Sequence, residues 1–320
     1  MTDFDLIIIG AGPAGLTAAQ YGARANLRVL VLEKMAPGGQ ALLIDALENY
    51  PGNTGADGKP KTGFEFSQDL YRQAGESGAR FLTEEASSLE KEGGLFRIGL
   101  GNGETKSCLA VILAAGAEHR KLGIPGEDRL FGRGVSYCAA CDGPFFKGKR
   151  IFVAGGGDAA CDEAQYLSRL TEEVILVHRR SRFRAQKALA DRALHNPNIR
   201  VRFNTALREI RGEQKVSSVV LEKTGPDGKG LGETGEEAAD AVFIFAGMVP
   251  QTGLVPGIDK DGAGYILTGG TMVTSQPGLY AAGDIRSGAF RQVVTACGDG
   301  AMAAHSAAAY IDELRGESYR

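Results

Sequence analysis

Histidine and cysteine are scarce: four and five respectively in 320 residues, with no two histidines close enough to make a His-x3-5-His pair. A structural zinc site needs four ligands, usually as two pairs, so the chain offers at most half of one, and no metal is expected. An odd number of cysteines in so long a chain does not fit a secreted disulfide framework. No apolar run reaches the roughly 18 to 20 residues that cross a bilayer. The start, Met1-Thr2-Asp3-Phe4-Asp5, has two acids and no Lys or Arg ahead of its apolar run, the wrong beginning for a signal peptide. Basic excess is missing too. Lys and Arg total 36 against 39 Asp and Glu, a net charge of −3, which implies no nucleic-acid surface. The expectation is a cytoplasmic protein with neither membrane nor nucleic acid as partner.

What is abundant is glycine, 46 residues, about twice the usual share of roughly 7%. With no Gly-x-y period, that excess points to tight turns and close approach of backbone to ligands. The length suits two domains as a soft prior. Hydrophobic content of 43% and charged content of 23% supply ordinary cores for both.

Leu6-Ile7-Ile8-Ile9 reads as a parallel strand buried on both faces. It runs into Gly10-Ala11-Gly12-Pro13-Ala14-Gly15, then a helix-like stretch to Arg24, then a second strand, Val29 to Leu32, ending at Glu33. The glycines let a pyrophosphate approach a helix N-terminus, and an acid at the second strand's end can accept hydrogen bonds from ribose hydroxyls. The same unit occurs twice. Adding 145 carries Gly10 to Gly155, Gly12 to Gly157, Gly15 to Ala160 and Gln20-Tyr21 to Gln165-Tyr166 without a gap. It also carries Glu33 to His178, which opens His178-Arg179-Arg180-Ser181-Arg182-Phe183-Arg184. A carboxylate there would repel a 2′-phosphate, whereas guanidinium groups bind one through charge-assisted hydrogen bonds. The second unit is therefore expected to take NADPH, and the first FAD or NAD.

Ahead of the second unit stands Cys138-Ala139-Ala140-Cys141-Asp142-Gly143. A Cys-x-x-Cys pair can close a disulfide that opens by thiolate attack, and a neighbouring carboxylate can move the protons this needs. Half a zinc site or two inert thiols are the other readings. Two dinucleotide units and one dithiol together suggest electron flow from nicotinamide through flavin to disulfide. Elsewhere, 64–78 reads as an amphipathic helix with a glycine C-terminus, 79–100 as antiparallel strands or hairpins, and 300–310 as Ala-rich helix. The echoing strands 110–116 and 241–247 bracket the second unit and read as crossings between domains. In Gly283-Asp284 a carboxylate follows an apolar strand, where it could bond a ribityl hydroxyl.

The sequence resembles bacterial-type, low-molecular-weight thioredoxin reductases across essentially its whole length. The resemblance rests on both glycine loops, Gly38-Gly39-Gln40, Glu48-Asn49-Tyr50-Pro51-Gly52, the Cys pair, His178-Arg179-Arg180 through Ala185, Gly283-Asp284 and Arg291-Gln292-Val293. Glutathione reductase and lipoamide dehydrogenase relatives carry their pair near residue 40, where this chain has no Cys. The fold implied is α/β, with two Rossmann-like dinucleotide-binding domains. An NADPH domain (117–246) is inserted into a discontinuous FAD domain (1–116 and 247–320). FAD is implied to be held by Gly10, Gly12, Pro13, Ala14, Gly15, Glu33, Gly39, Gln40, Asn49, Gly283, Asp284, Arg291, Gln292 and Val293. NADPH falls to Gly155, Gly157, Asp158, Ala159, His178, Arg179, Arg180 and Arg184. Cys141 would take electrons from the flavin, Cys138 would attack the disulfide of thioredoxin or a thioredoxin-like protein, and Asp142 would exchange protons. A homodimer is implied, as is rotation of the inserted domain about hinges near 116–118 and 245–247.

The chain departs from the family pattern in its longer 53–61 segment, in Ala140 where Thr or Val is common, and in Cys161 and Cys297. Both extra cysteines are expected to be small buried hydrophobes. Competing readings on the same scaffold are a dithiol oxidase, a ferredoxin-fed flavoprotein and a non-catalytic flavin redox sensor. Gly155, Gly157 and the arginines weigh against the first two, which lack nucleotide machinery.

Overall fold

The structure, a computed structural model, describes residues 2–317 apart from Asp45 and Ala289. The chain divides into two compact units, Met1–Glu118 with Val249–Arg320, and His119–Met248.

In the first unit Leu6–Ile9 is the central strand of an all-parallel sheet. The order is Leu279–Ala281, Ala110–Leu113, Leu6–Ile9, Val29–Glu33, Arg80–Thr83. Side chains alternate across a strand with period two. Leu6 and Ile8 turn to a helical layer and meet Leu16, Ala18, Ala307 and Ile311. Ile7 and Ile9 turn the other way, onto Phe96, Ile98 and Leu100 of a three-stranded antiparallel sheet. Burial on both faces is what makes the sequence an unbroken apolar run.

Residues 79–100 are not all antiparallel as expected. Ala86–Glu92 and Leu95–Leu100 form a hairpin, but Arg80–Thr83 pairs parallel with Val29–Glu33. The helix Gly63–Glu76 between those two strands provides the crossover that a parallel pairing requires. Its start is fixed by a capping box: Thr62 Oγ1 accepts the Glu65 N–H at 3.1 Å, and Glu65 Oε2 accepts the Thr62 N–H at 2.8 Å. The 53–61 segment folds back on itself through an antiparallel bridge between Thr54 and Pro60, and Lys61 reaches Asp69 at 2.7 Å.

The second unit repeats the plan. Its parallel sheet runs Ile199–Arg202, Val174–Val177, Ile151–Gly155, Ala241–Phe245, Val135–Ser136. The offset of 145 preserves facing as well as sequence. Ile151 and Val153, counterparts of Leu6 and Ile8, meet the helical layer at Ala160, Ala164 and Leu167. Phe152 and Ala154 meet Leu207, Ile210 and Val219 of the antiparallel sheet Thr205–Arg211, Ser218–Thr224, Gly230–Ala238.

The last helix, Val293–Arg315, lies against the first, Pro13–Arg24, so closely that a Cβ on Gly300 would stand 2.1 Å from the Ala14 carbonyl oxygen. Its far end is tied down at buried Asp5, which accepts from Arg28 Nη2 at 2.7 Å and Arg315 Nη2 at 2.5 Å. Burial works to raise the Asp5 carboxyl, but the hydrogen bonds of Arg28 and the charges of Arg315 and Arg28 outweigh it and hold it below the ordinary range. A depressed folded-state carboxyl stabilises above its unfolded pKa, about 3.9, and that contribution disappears as pH falls through the folded value. Asp5→Asn is therefore expected to cost about 1–3 kcal/mol at pH 7 and much less once the pH is below both values. Urea unfolding at pH 7 and at the lowest pH where the fold persists checks this; equal losses at both would contradict it.

Candidate functional site

In the first glycine loop the three glycines are there for different reasons. Gly10 has φ +103°, and a Cβ there would lie 2.4 Å from the Ala114 carbonyl oxygen. At Gly15 a Cβ would lie 1.9 Å from the Gly10 carbonyl oxygen, where helix meets strand. Gly12 has an ordinary φ of −72°, and nothing stands within 4 Å of where its Cβ would be. The chain's own packing thus requires Gly10 and Gly15 but leaves an open cradle at Gly12, at the start of a helix whose first residue is Pro13. Such an opening fits a pyrophosphate approaching backbone and helix N-terminus.

Other residues gather round this cradle. Glu33 Oε2 accepts the Ala11 N–H at 2.8 Å, and Oε1 accepts that of Met35 at 3.0 Å, leaving lone pairs for a hydroxyl. Gly38 N donates to the Ala11 carbonyl at 2.7 Å, and a Cβ on Gly39 would lie 3.1 Å from Gly12 Cα. Gln40 donates through its side chain to the Ala117 carbonyl. Asn49 Nδ2 donates to Gln292 Oε1 at 2.7 Å, joining the segment before Pro51 to the cap of the last helix. Val293 packs against the cluster of Leu47, Phe66 and Cys297. Gly283, at φ +76°, would place a Cβ 2.9 Å from that of Ala14, which brings Asp284 beside the same loop. The Arg291 guanidinium lies 4.1 Å from the centre of the Tyr265 ring.

Asp284 accepts no hydrogen bond among the described residues; burial pushes its carboxyl up, Arg291 opposes that, and Asp299 adds to it. Sequence reasoning missed what holds Asp284 in place. Arg286 Nε and Asp299 Oδ2 form a pair at 3.1 Å with side chains only 16% and 14% exposed, and Asp299 also accepts the Gly283 N–H at 3.2 Å. An acid flanked by Gly298 and Gly300 inside an Ala-rich helix was the signal available.

The second loop repeats the pattern. A Cβ on Gly155 would lie 2.6 Å from both the Ala160 Cβ and the Phe245 carbonyl oxygen, while at Gly157, φ −100°, nothing stands within 4 Å. Asp158 opens the helix Asp158–Leu167, but its carboxylate is engaged by Gln186, through N and Nε2, both at 2.7 Å. Ala159 is exposed on the same turn. Arg179, Arg180, Arg182 and Arg184 are all exposed, and none is in an ion pair among the described residues. Four guanidiniums within six residues beside an open glycine cradle suit an anionic ligand. His178 does not stand with them. Its ring is turned under Gly156 and is 7% exposed, and burial with the charges of Arg184 and Arg180 keeps it below the ordinary histidine range against backbone groups of Arg182 and Gly155.

The Cys pair lies in the second unit as a closed disulfide, Cys138–Cys141, with Cα atoms 5.4 Å apart. Ser136 Oγ accepts the Cys138 N–H at 3.0 Å, and Cys138 Sγ accepts the Cys141 N–H at 3.1 Å. An amide aimed at a sulfur favours its thiolate. Cys138 is half-buried, Cys141 exposed, and Asp142 half-exposed beside them. Behind the pair, the Tyr137 hydroxyl donates to Glu127 at 2.6 Å, and buried Glu127 also accepts the N–H groups of Leu122, Gly123 and Ile124. The three remaining cysteines are buried and free. Burial pushes Cys108 up to about 12 and Cys161 up to about 11, and raises Cys297 as well, so they stay protonated and unreactive. Among the described residues no group could hold a metal ion, and no helix is long and apolar enough to cross a membrane.

Residues 4–300 match the model of the pyridine nucleotide-disulphide oxidoreductases. The chain belongs to that family. Within it, the chain is 56% identical over 314 residues to thioredoxin reductase of Treponema pallidum, covering 98% of this chain and 99% of that one. It is 43% identical to thioredoxin reductase of Bacillus subtilis, covering 98% and 96%. The crystal structure of Lactococcus lactis thioredoxin reductase superposes with a TM-score of 0.91 at 39% identity, covering 98% of this chain and all of that one. As a flavin disulfide oxidoreductase of this family, the protein uses a flavin and a pyridine nucleotide. Its two open cradles are places in the described structure that suit dinucleotides.

Proposed function

We propose that this chain is an NADPH-dependent reductase of thioredoxin or a thioredoxin-like disulfide protein. The first unit is its FAD-binding domain and the second its NADPH-binding domain. The observation that carries the reading is the coexistence of two cradles, at Gly12 and Gly157, that no packing requires with one closed disulfide. Glu33 beside the first cradle disfavours a 2′-phosphate and suits the ribose of FAD, and Asp284 is free to accept a ribityl hydroxyl. The arginines beside the second suit the 2′-phosphate of NADPH. FAD, when bound, supplies the relay that accepts a hydride from nicotinamide and hands its electron pair to the disulfide.

The chain's own residues then do the following. Reduction breaks the Cys138–Cys141 bond and leaves two sulfurs sharing the incoming proton, with half-exposed Asp142 placed to hold or release it. The Cys141 amide favours the thiolate on Cys138. That thiolate attacks one sulfur of the partner's disulfide, forming a mixed disulfide and releasing the other sulfur as thiolate. Cys141 then attacks Cys138 Sγ, which restores the pair and releases the reduced partner. A homodimer working in the cytoplasm completes the reading.

Anaerobic titration of the flavin-loaded protein, with NADPH and NADH in parallel, tests it. NADPH should bleach the flavin at far lower concentration, and oxidised thioredoxin should restore the colour. If neither nucleotide bleached it, a ferredoxin-fed enzyme, a dithiol oxidase or a redox sensor would replace this reading.

A further inference from the structure

The two halves of the chain solve one structural problem in opposite ways. The offset of 145 takes Ala11 to Gly156 and Glu33 to His178. In the first unit the Glu33 carboxylate reaches the middle of the loop and accepts the Ala11 N–H at 2.8 Å, and residue 11 keeps a methyl group. In the second unit the imidazole occupies that methyl's place. A Cβ on Gly156 would lie 2.2 Å from His178 Nδ1 and 2.3 Å from Cε1. Gly156 has no positive φ, so its backbone conformation does not demand glycine; the ring does.

The ring is also fixed from its other side. Phe183 and Phe203 lie 5.9 and 6.4 Å away, centre to centre, and 4.8 Å from each other. His178 Nε2 is buried with no hydrogen-bond partner among the described residues. Backbone groups of Arg182 and Gly155 do face the ring, so its shape and its nitrogens are two separable contributions, and the contact with Gly156 belongs to the shape. What the ring supports is the arginine segment. Arg184 N donates to the Gly156 carbonyl at 2.7 Å, and Gln186 closes on Asp158 just beyond.

We propose that His178 is the positioning residue of the nucleotide site: a flat wedge beneath Gly156 that holds the arginine segment on the glycine loop, and not itself a ligand of the phosphate. The inference rests on the second unit being the NADPH site. Gly156 and His178 act as one co-adapted pair, as Ala11 and Glu33 do in the first unit.

Calorimetric Kd values for NADP+ and NAD+ on the flavin-loaded wild type, H178A, H178F, G156A and the double variant G156A/H178A test this, with unfolding midpoints alongside. H178A should raise the NADP+ Kd at least about tenfold and change that for NAD+ by less than about threefold. H178F, a wedge without nitrogens, should stay within about threefold of wild type for NADP+. G156A should weaken NADP+ at least about tenfold and lower the midpoint, yet add little to either loss once His178 is removed. H178F as weak as H178A, or losses that add in the double variant, would overturn the proposal. A wild type that does not discriminate between the nucleotides would instead sink the NADPH assignment itself.

Discussion

Cys138→Ser is expected to reduce NADPH-dependent reduction of thioredoxin by at least about three orders of magnitude while leaving reduction of the flavin by NADPH intact. On the proposed assignment the flavin step uses the two glycine cradles, which this substitution does not touch. Exchange needs a nucleophile and a second thiol to resolve the mixed disulfide; with Cys138 gone, an attack by Cys141 would stall at that stage, and no third cysteine can take the missing place. Cys108, Cys161 and Cys297 are buried, with their thiols held up by that burial. Stopped-flow absorbance separates the two steps in one experiment. Loss of flavin bleaching together with turnover would mean the pair also builds the nucleotide site.

Gly12→Ala and Gly15→Ala should part company. A methyl at Gly12 meets open space at an ordinary φ, so unfolding free energy should change by less than about 1 kcal/mol, yet flavin should be lost on gel filtration. At Gly15 the same methyl would lie 1.9 Å from the Gly10 carbonyl oxygen. Backbone must move there, and the apoprotein itself should lose about 1–3 kcal/mol. Denaturant unfolding of the apoproteins beside flavin content per chain reads both effects. A Gly12→Ala protein that kept its flavin would show that the cradle is not where the cofactor lies.

Much of this was legible in the sequence because a strand buried on both faces, a glycine loop and a helix occupy contiguous residues. The offset of 145 therefore carried facing as well as identity, from Leu6 to Ile151 and from Ile7 to Phe152. Direction and distant pairing were not legible. A sequence places His178 at the end of a strand, but only packing against Gly156 and Phe183 shows where its ring turns. Arg286 and Asp299 meet through tertiary folding, thirteen positions apart, with nothing local to join them. The sheet Thr205–Ala238 hid for another reason. Its outer face is laced with cross-strand ion pairs, Arg208 with Glu222, Arg211 with Glu236 and Lys223 with Glu233, so charge breaks up the hydrophobic alternation on which strand recognition depends. Arg80–Thr83 looked like part of a hairpin because its parallel pairing is decided by the helix before it, not by its own residues.

The central claim is that the disulfide lies on the electron path from nucleotide to partner. Counting reducing equivalents tests it most directly: anaerobic titration of the flavin-loaded wild type with NADPH, beside Cys138→Ser. A flavin and a disulfide each take two electrons, so the account predicts that wild type consumes two equivalents of NADPH per chain before excess nucleotide accumulates, and the variant one. One equivalent in both proteins would place the disulfide outside the path and contradict the account.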